Sequence, residues 1–218
     1  MGVVVFAQDR DLLVYEPRLF LETGWLGQLV FREAGVVGSS VAVVGGFDFA
    51  SVGVSVGSVV SYAGASYEVA VVVGVGQLGL SRLRASASDS VIPVPTLASG
   101  ELECFTYRPQ MSVVHGQILR MLGIEPDDTS EGALTADAVV NPGALTRLEC
   151  LGTLHLIYSA AAAASAAGSA GLGYAERSLM YRERFAAERG RVTAMIDLDG
   201  DGEADSVRRP GVSHLVRG

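Results

Sequence analysis

The residues whose spacing best suits chemistry lie near the C-terminal end, in Asp197-Leu-Asp199-Gly-Asp201-Gly202-Glu-Ala-Asp205. Carboxylates at the first, third, fifth and ninth positions, with glycine at the sixth, follow the front of a calcium loop. There, alternate carboxylates wrap a hard cation and the glycine permits the sharp turn. The twelfth position holds Arg208 in place of a bidentate glutamate, and no helix pair flanks the segment. Two Asp-Gly steps between apolar flanks also make an ordinary hairpin tip. The expectation is a polar hairpin turn. Ca2+ is the one cofactor that Asp197, Asp199, Asp201 and Asp205 could take, in a structural role.

The remaining candidates for chemistry are scattered. His115, His155 and His214 are the three histidines, each isolated in sequence. His155, within TLHLIY, reads as a core or interface histidine. No HExxH, CxxC or H-x3-H spacing points to zinc, and no GxSxG elbow frames a serine nucleophile. Gly74-Val-Gly76-Gln-Leu-Gly79 has the form G-x-G-x-x-G, but LSRLRAS follows it in place of a long helix, and no acidic residue is placed to hold a ribose. It reads as a hairpin turn. The two cysteines, Cys104 and Cys150, lie in apolar stretches and read as buried free thiols. No catalytic residue is expected, and the chain is read as non-enzymatic.

Composition narrows the classes further. The 218 residues carry a formal net charge of −8, which disfavours a nucleic-acid binder. Every basic residue is arginine. The opening MGVVVFAQDRD is a poor signal peptide, and no segment reads as a membrane span. The expectation is an intracellular, soluble protein.

The elements that must position these residues fall into an α+β arrangement. Residues 1–35 read as an N-terminal helical segment, with Pro17 in a first turn and Gly35 as a stop. Residues 36–108 carry short β-branched runs punctuated by glycine, the pattern of a small antiparallel barrel or sandwich. Within them SVVSYAGASYEVAVVVG reads as a hairpin turning near Gly64. Between residues 35 and 81 the charged residues are Asp48 and Glu68 alone, which favours packing surfaces. Residues 109–190 read as a helical domain. MSVVHGQILRMLGI forms a helix stopped by Gly123. Asn141 caps a long, all-round apolar helix with Pro142 at its first position. A break follows at SAGLG, and a third helix buries Leu179, Tyr181, Phe185 and Ala186. Residues 191–218 read as a β-hairpin and an extended C-terminal tail.

The order of the last third is distinctive. Asn-Pro, LxxLGTLHLIY, YAERSLMYRERFAAERGRV, IDLDGDGEAD and RRPGVSHLVRG succeed one another over residues 141–218. This layout resembles the head–tail connector proteins (adaptors, or head completion proteins) of tailed bacteriophages and phage-like particles. The resemblance implies a structural virion protein at the head–tail junction, made in the host cytoplasm. It implies a homo-oligomeric, dodecameric ring that binds the portal on one side and the next neck or tail protein on the other. DNA would pass through without sequence-specific contact, and no membrane is involved. It places Arg208, Arg209, Leu215, Val216 and Arg217 at the portal contact, so deleting residues 210–218 should abolish docking and leave the fold intact. The β-rich part would be an elaboration on the common all-helical adaptor, exposed on the outer or lower rim. Competing readings are another neck or tail component (stopper, terminator, baseplate) and a calcium-stabilised binding module.

Overall fold

The structure is a computed structural model that describes residues 5–128, 130, 133–165 and 169–211. The chain is mixed α+β and divides into two units. Residues 8–108 form one, and the residues before position 8 join those from 109 onward in the other. The first unit is therefore an insertion within the second. No helix among the described residues is long and apolar enough to cross a membrane.

The inserted unit opens with α1 (Asp9–Leu13), α2 (Leu19–Thr23) and a 3-10 turn at Gly24–Leu26. Six strands follow: β1 (Gln28–Gly38), β2 (Val41–Val43), β3 (Val59–Tyr62), β4 (Ala65–Gly74), β5 (Gln77–Ser81) and β6 (Leu97–Thr106). They close into an antiparallel barrel in the order β1-β2-β5-β4-β3-β6. The choice left open between barrel and sandwich is thus settled. The β3–β4 turn falls where glycine requires it: Ala63 and Gly64 take φ of 48° and 75°, the pair a tight hairpin needs. Gly76, at φ 72°, turns β4 into β5, so the G-x-G-x-x-G stretch is a hairpin. Inward positions alternate to fill the barrel, with Phe31, Val37, Ala42, Val60, Tyr62, Tyr67, Val69, Leu78, Leu80, Leu102 and Cys104 in one core.

The expected N-terminal helix ends early. Residues 28–34 are strand, not helix, because Gln28–Glu33 pair along β6 from Thr106 back to Leu102. Two glycines show why. A Cβ on Gly27 would come within 3.2 Å of the Thr106 carbonyl oxygen, and one on Gly35 within 2.8 Å of the Val43 carbonyl oxygen and Leu102 Cδ1. Gly35 is a point of close backbone approach inside β1, not a helix stop.

The second unit contains α3 (Arg108–Met121), α4 (Gly143–Ala164), α5 (Ser169–Arg189) and a two-stranded hairpin of β7 (Ala194–Ile196) and β8 (Ser206–Arg208). Gly123, at φ 72°, ends α3 as expected. The Ile124 amide donates to the Leu119 carbonyl at 2.9 Å, closing the turn that a left-handed glycine allows. Val114, Ile118, Leu122, Leu145, Leu148, Val192, Ala194 and Ile196 form its core.

Three expectations for this unit need correction. Asn141 does not cap α4 with its side chain. Its Nδ2 donates to the Thr193 carbonyl at 3.1 Å and its Oδ1 accepts from the Met195 amide at 2.7 Å, tying the start of α4 to β7. SAGLG does not break the helical region, since Ser169–Gly173 form the first turn of α5. Finally, Leu179 and Ala186 face solvent. The inward row of α5 is Tyr174, Ser178, Tyr181 and Phe185, at the i, i+4, i+7, i+11 spacing of one helix face. Tyr181 stacks on Tyr158 of α4 with 5.8 Å between ring centroids, which fixes that row.

Candidate functional site

The Asp-rich turn joins β7 to β8, as expected. Asp197, Asp199 and Asp205 bring carboxylate oxygens within 4.8 Å of one another, while Asp201 stands outside the group. Asp197 organises the turn. Its Oδ1 accepts from the Asp199 and Gly200 amides at 3.2 and 2.7 Å, and its Oδ2 from Gly202 at 2.7 Å. These bonds, Gly202 first, hold its carboxyl below the usual aspartate range. Asp205 Oδ2 accepts from the Leu198 amide at 2.7 Å. Gly200 and Gly202, at φ 83° and 88°, supply the left-handed backbone that the turn needs. Three clustered carboxylates could ligate a hard cation. Backbone amides alone, however, already account for the fold of the turn.

Arg208 is engaged within its own unit. Its Nη1 donates to the Leu122 carbonyl at 2.5 Å and lies 3.4 Å from that of Gly123, at the C-terminal end of α3, where a cation is favoured. It occupies the twelfth position of the supposed calcium loop and points away to a helix end. Arg209 is exposed. Leu215, Val216 and Arg217 lie outside the described residues, as does His214.

The two described histidines hold structure together. His155 Nδ1 lies 3.1 Å from the Ser178 carbonyl oxygen and 3.0 Å from Ser178 Oγ. A carbonyl can only accept, so Nδ1 carries the proton and is no base for that hydroxyl. Ser178 Oγ instead meets Ser159 Oγ at 2.8 Å, and the trio latches α4 to α5. His115 Nδ1 meets Glu149 Oε1 at 2.9 Å, both side chains buried. Glu149 Oε2 accepts from the Ala7 amide at 2.5 Å. Burial raises the Glu149 carboxyl above its ordinary range. With the Phe6 ring against His115 and the Phe6 carbonyl accepting from Thr146 Oγ1 at 2.9 Å, this pair anchors the N-terminal segment to α3 and α4.

Two further charged centres lie in the inserted unit. Glu68, on the outside of β4, is buried under α1 and the segment after β5. Its carboxylate pairs with Arg10 Nε and Arg84 Nε, each at 2.5 Å. Arg10 Nη2 donates to the Arg84 carbonyl at 2.7 Å, and Arg84 Nη1 to that of Asp89 at 2.8 Å. Asp9 opens α1 but spends its carboxylate on β6. Oδ2 accepts from Thr106 Oγ1 at 2.7 Å and Oδ1 from the Tyr107 amide at 2.9 Å. Complete burial pushes its pKa up to about 6, against those two hydrogen bonds and Arg108, which act to lower it. Sequence spacing flagged none of these groups. The available signal was a lone acid in an apolar run, Glu68 in SYEVAVVV and Glu149 in RLECLG. Neither cysteine is in a disulfide and both are buried, and burial pushes the Cys104 thiol up, so it is unreactive at neutral pH.

The chain matches no protein-family model, no curated protein and no solved structure. Its functional reading therefore rests on its own residues. Of the buried ionisable groups above, each is held by partners inside its unit, and they do not converge on one cleft.

Proposed function

We propose that this chain is a structural protein of the neck of a tailed phage or phage-like particle. It is an adaptor that rings with further copies between the capsid portal and the tail. The observation that carries this reading is the C-terminal layout: a long apolar α4, an α5 latched against it, the Asp-rich hairpin and an arginine-bearing tail. That order is the one that resembles the adaptors. Two features support it. The outer face of α5 exposes Leu172 and Leu179 at 72% and 49%, apolar positions open to a neighbour. The buried acids Glu68, Asp9 and Glu149 are each taken up by partners inside their own unit, as suits a scaffold.

Immunogold electron microscopy of particles from the producing lysate tests the proposal. Gold confined to the head–tail junction supports it; gold along the tail or at its far end moves the chain to another neck or tail component. No labelling of particles, with the protein free in the cell, overturns the virion reading. The portal contact is tested by truncation after Gly211, because Pro210 is buried. Loss of portal binding with unchanged melting supports a role for the tail, and unchanged binding refutes it. A second reading, a calcium-stabilised module, draws on the carboxylates of Asp197, Asp199 and Asp205. It requires a melting temperature that rises with calcium and falls with chelator.

A further inference from the structure

The outer wall of the barrel is divided by charge. Where β1 runs beside β6 it is ionic: Arg32 bridges to Glu103 at 2.6 Å and lies 3.8 Å from Glu101. Across β1, β2 and β4 it is valine, with Gln77 and Gly79 of β5 between them. Val36 stands opposite Val43, and Val43 opposite Gln77. One row on, Val41 stands opposite Gly79, and Gly79 opposite Val71. Val73 and the hairpin-tip Val75 extend the row. Val36, Val43, Val71, Val73 and Val75 are 42, 37, 45, 55 and 71% exposed. Solvated faces of antiparallel sheets are normally polar, and this one is not. Of the two charges between residues 35 and 81, Glu68 is fully buried. Asp48 accepts from the Ala50 and Ser51 amides of its own turn, at 3.1 and 3.3 Å.

A closed barrel offers no free strand edge, so association here must be face to face, as between the sheets of a sandwich. The occupant must also be uncharged, because a charged side chain pressed onto valine would be desolvated without a partner. The same face on another copy meets that condition. On a chain of net charge −8, it is a surface where two copies approach without like-charge repulsion. Four strands about 4.8 Å apart and three rows about 6.8 Å apart give a patch on the order of 400 Å2. That is about half of the roughly 800 Å2 per partner in a standard interface, so the contact is weak and concentration-dependent.

We propose that the valine face of the barrel packs against the same face of a second copy of this chain. The inference does not rest on the neck reading; a twofold contact of this kind would pair copies whether or not they also form rings. Sedimentation velocity of the full chain, from about 5 μM to about 1 mM, reads it over the range expected of a half-sized interface. Wild type is expected to pass from monomer to dimer. Val43→Asp/Val73→Asp is expected to associate at least tenfold more weakly, and Val43→Thr/Val73→Thr to fall between. Unchanged fluorescence of the single tryptophan, Trp25, confirms that the variant barrels are folded. A wild type monomeric throughout, or a dimer that survives both aspartates, overturns the proposal.

Discussion

Replacing Asp9 with asparagine should stabilise the inserted unit at neutral pH and flatten its response to acid. Asp9 is buried and its pKa is pushed up to about 6 from an ordinary 3.8. Between those values the native state binds the proton more tightly than the unfolded chain, so stability falls as pH rises through the window. With those two values, ionisation of Asp9 lowers stability by about 3 kcal/mol at pH 7 and by about 0.5 kcal/mol at pH 4. An asparagine keeps the site neutral throughout. Its Oδ1 can still accept from the Tyr107 amide, and its Nδ2 can donate to Thr106 Oγ1. The stability difference between Asp9→Asn and wild type should therefore move by roughly 2 kcal/mol in favour of the variant between pH 4 and pH 7. Other titrating groups are common to both proteins and cancel. Urea unfolding followed by Trp25 fluorescence reads the inserted unit, which contains the only tryptophan. A difference that stays flat across this range, or that favours wild type more as pH rises, would refute the assignment of Asp9 as a buried, strained carboxylate.

Glu68→Gln removes the carboxylate shared by Arg10 and Arg84 and leaves two guanidinium groups buried without it. The barrel should lose about 3–5 kcal/mol in the same urea assay. Gly35→Ala drives a methyl group into the Val43 carbonyl and Leu102 and should cost about 1–3 kcal/mol, visible as a lower melting temperature. Arg208→Ala releases the Leu122 carbonyl at the end of α3 and should lower stability of the free protein by about 1–2 kcal/mol. Arg209→Ala, at an exposed position, should change it by less than about 0.5 kcal/mol. Equal effects of the two arginine substitutions on melting would contradict the structural role given to Arg208.

Turn chemistry carried much of the fold in the sequence. Ala63-Gly64 and Val75-Gly76 mark hairpins because positive φ there is a local demand that glycine meets cheaply. Gly123 marks the end of α3 for the same reason. Where the deciding partner is distant, local signals mislead. Residues 28–34 read as helix by their apolar spacing, yet the ladder to β6, about seventy positions away, makes them strand. Asn141-Pro142 has the form of a helix cap, but the asparagine amide is taken by β7, fifty-two to fifty-four positions on. The buried pairs were hidden in the same way: Glu149 meets His115 across 34 positions and the Ala7 amide across 142. The aspartates of the turn were legible, being neighbours in sequence. The one unexpected detail is that Asp201 stands apart from the other three.

The Asp9 staple has a consequence for how the chain folds. Residue 9 and residue 107 are held one hydrogen bond apart, so the inserted unit begins and ends at nearly the same place. To the helical unit, the hundred residues between Ala7 and Pro109 then act as a closed loop rather than a long tether. Closing an unstructured loop of that length costs about 4 kcal/mol of chain entropy. A barrel that folds on its own absorbs that entropy within itself. Within the helical unit, Phe6 and Ala7 meet His115 and Glu149. The same geometry makes the barrel removable in principle. A short linker from residue 7 to residue 109 would bridge the point where the inserted unit now interrupts the helical one.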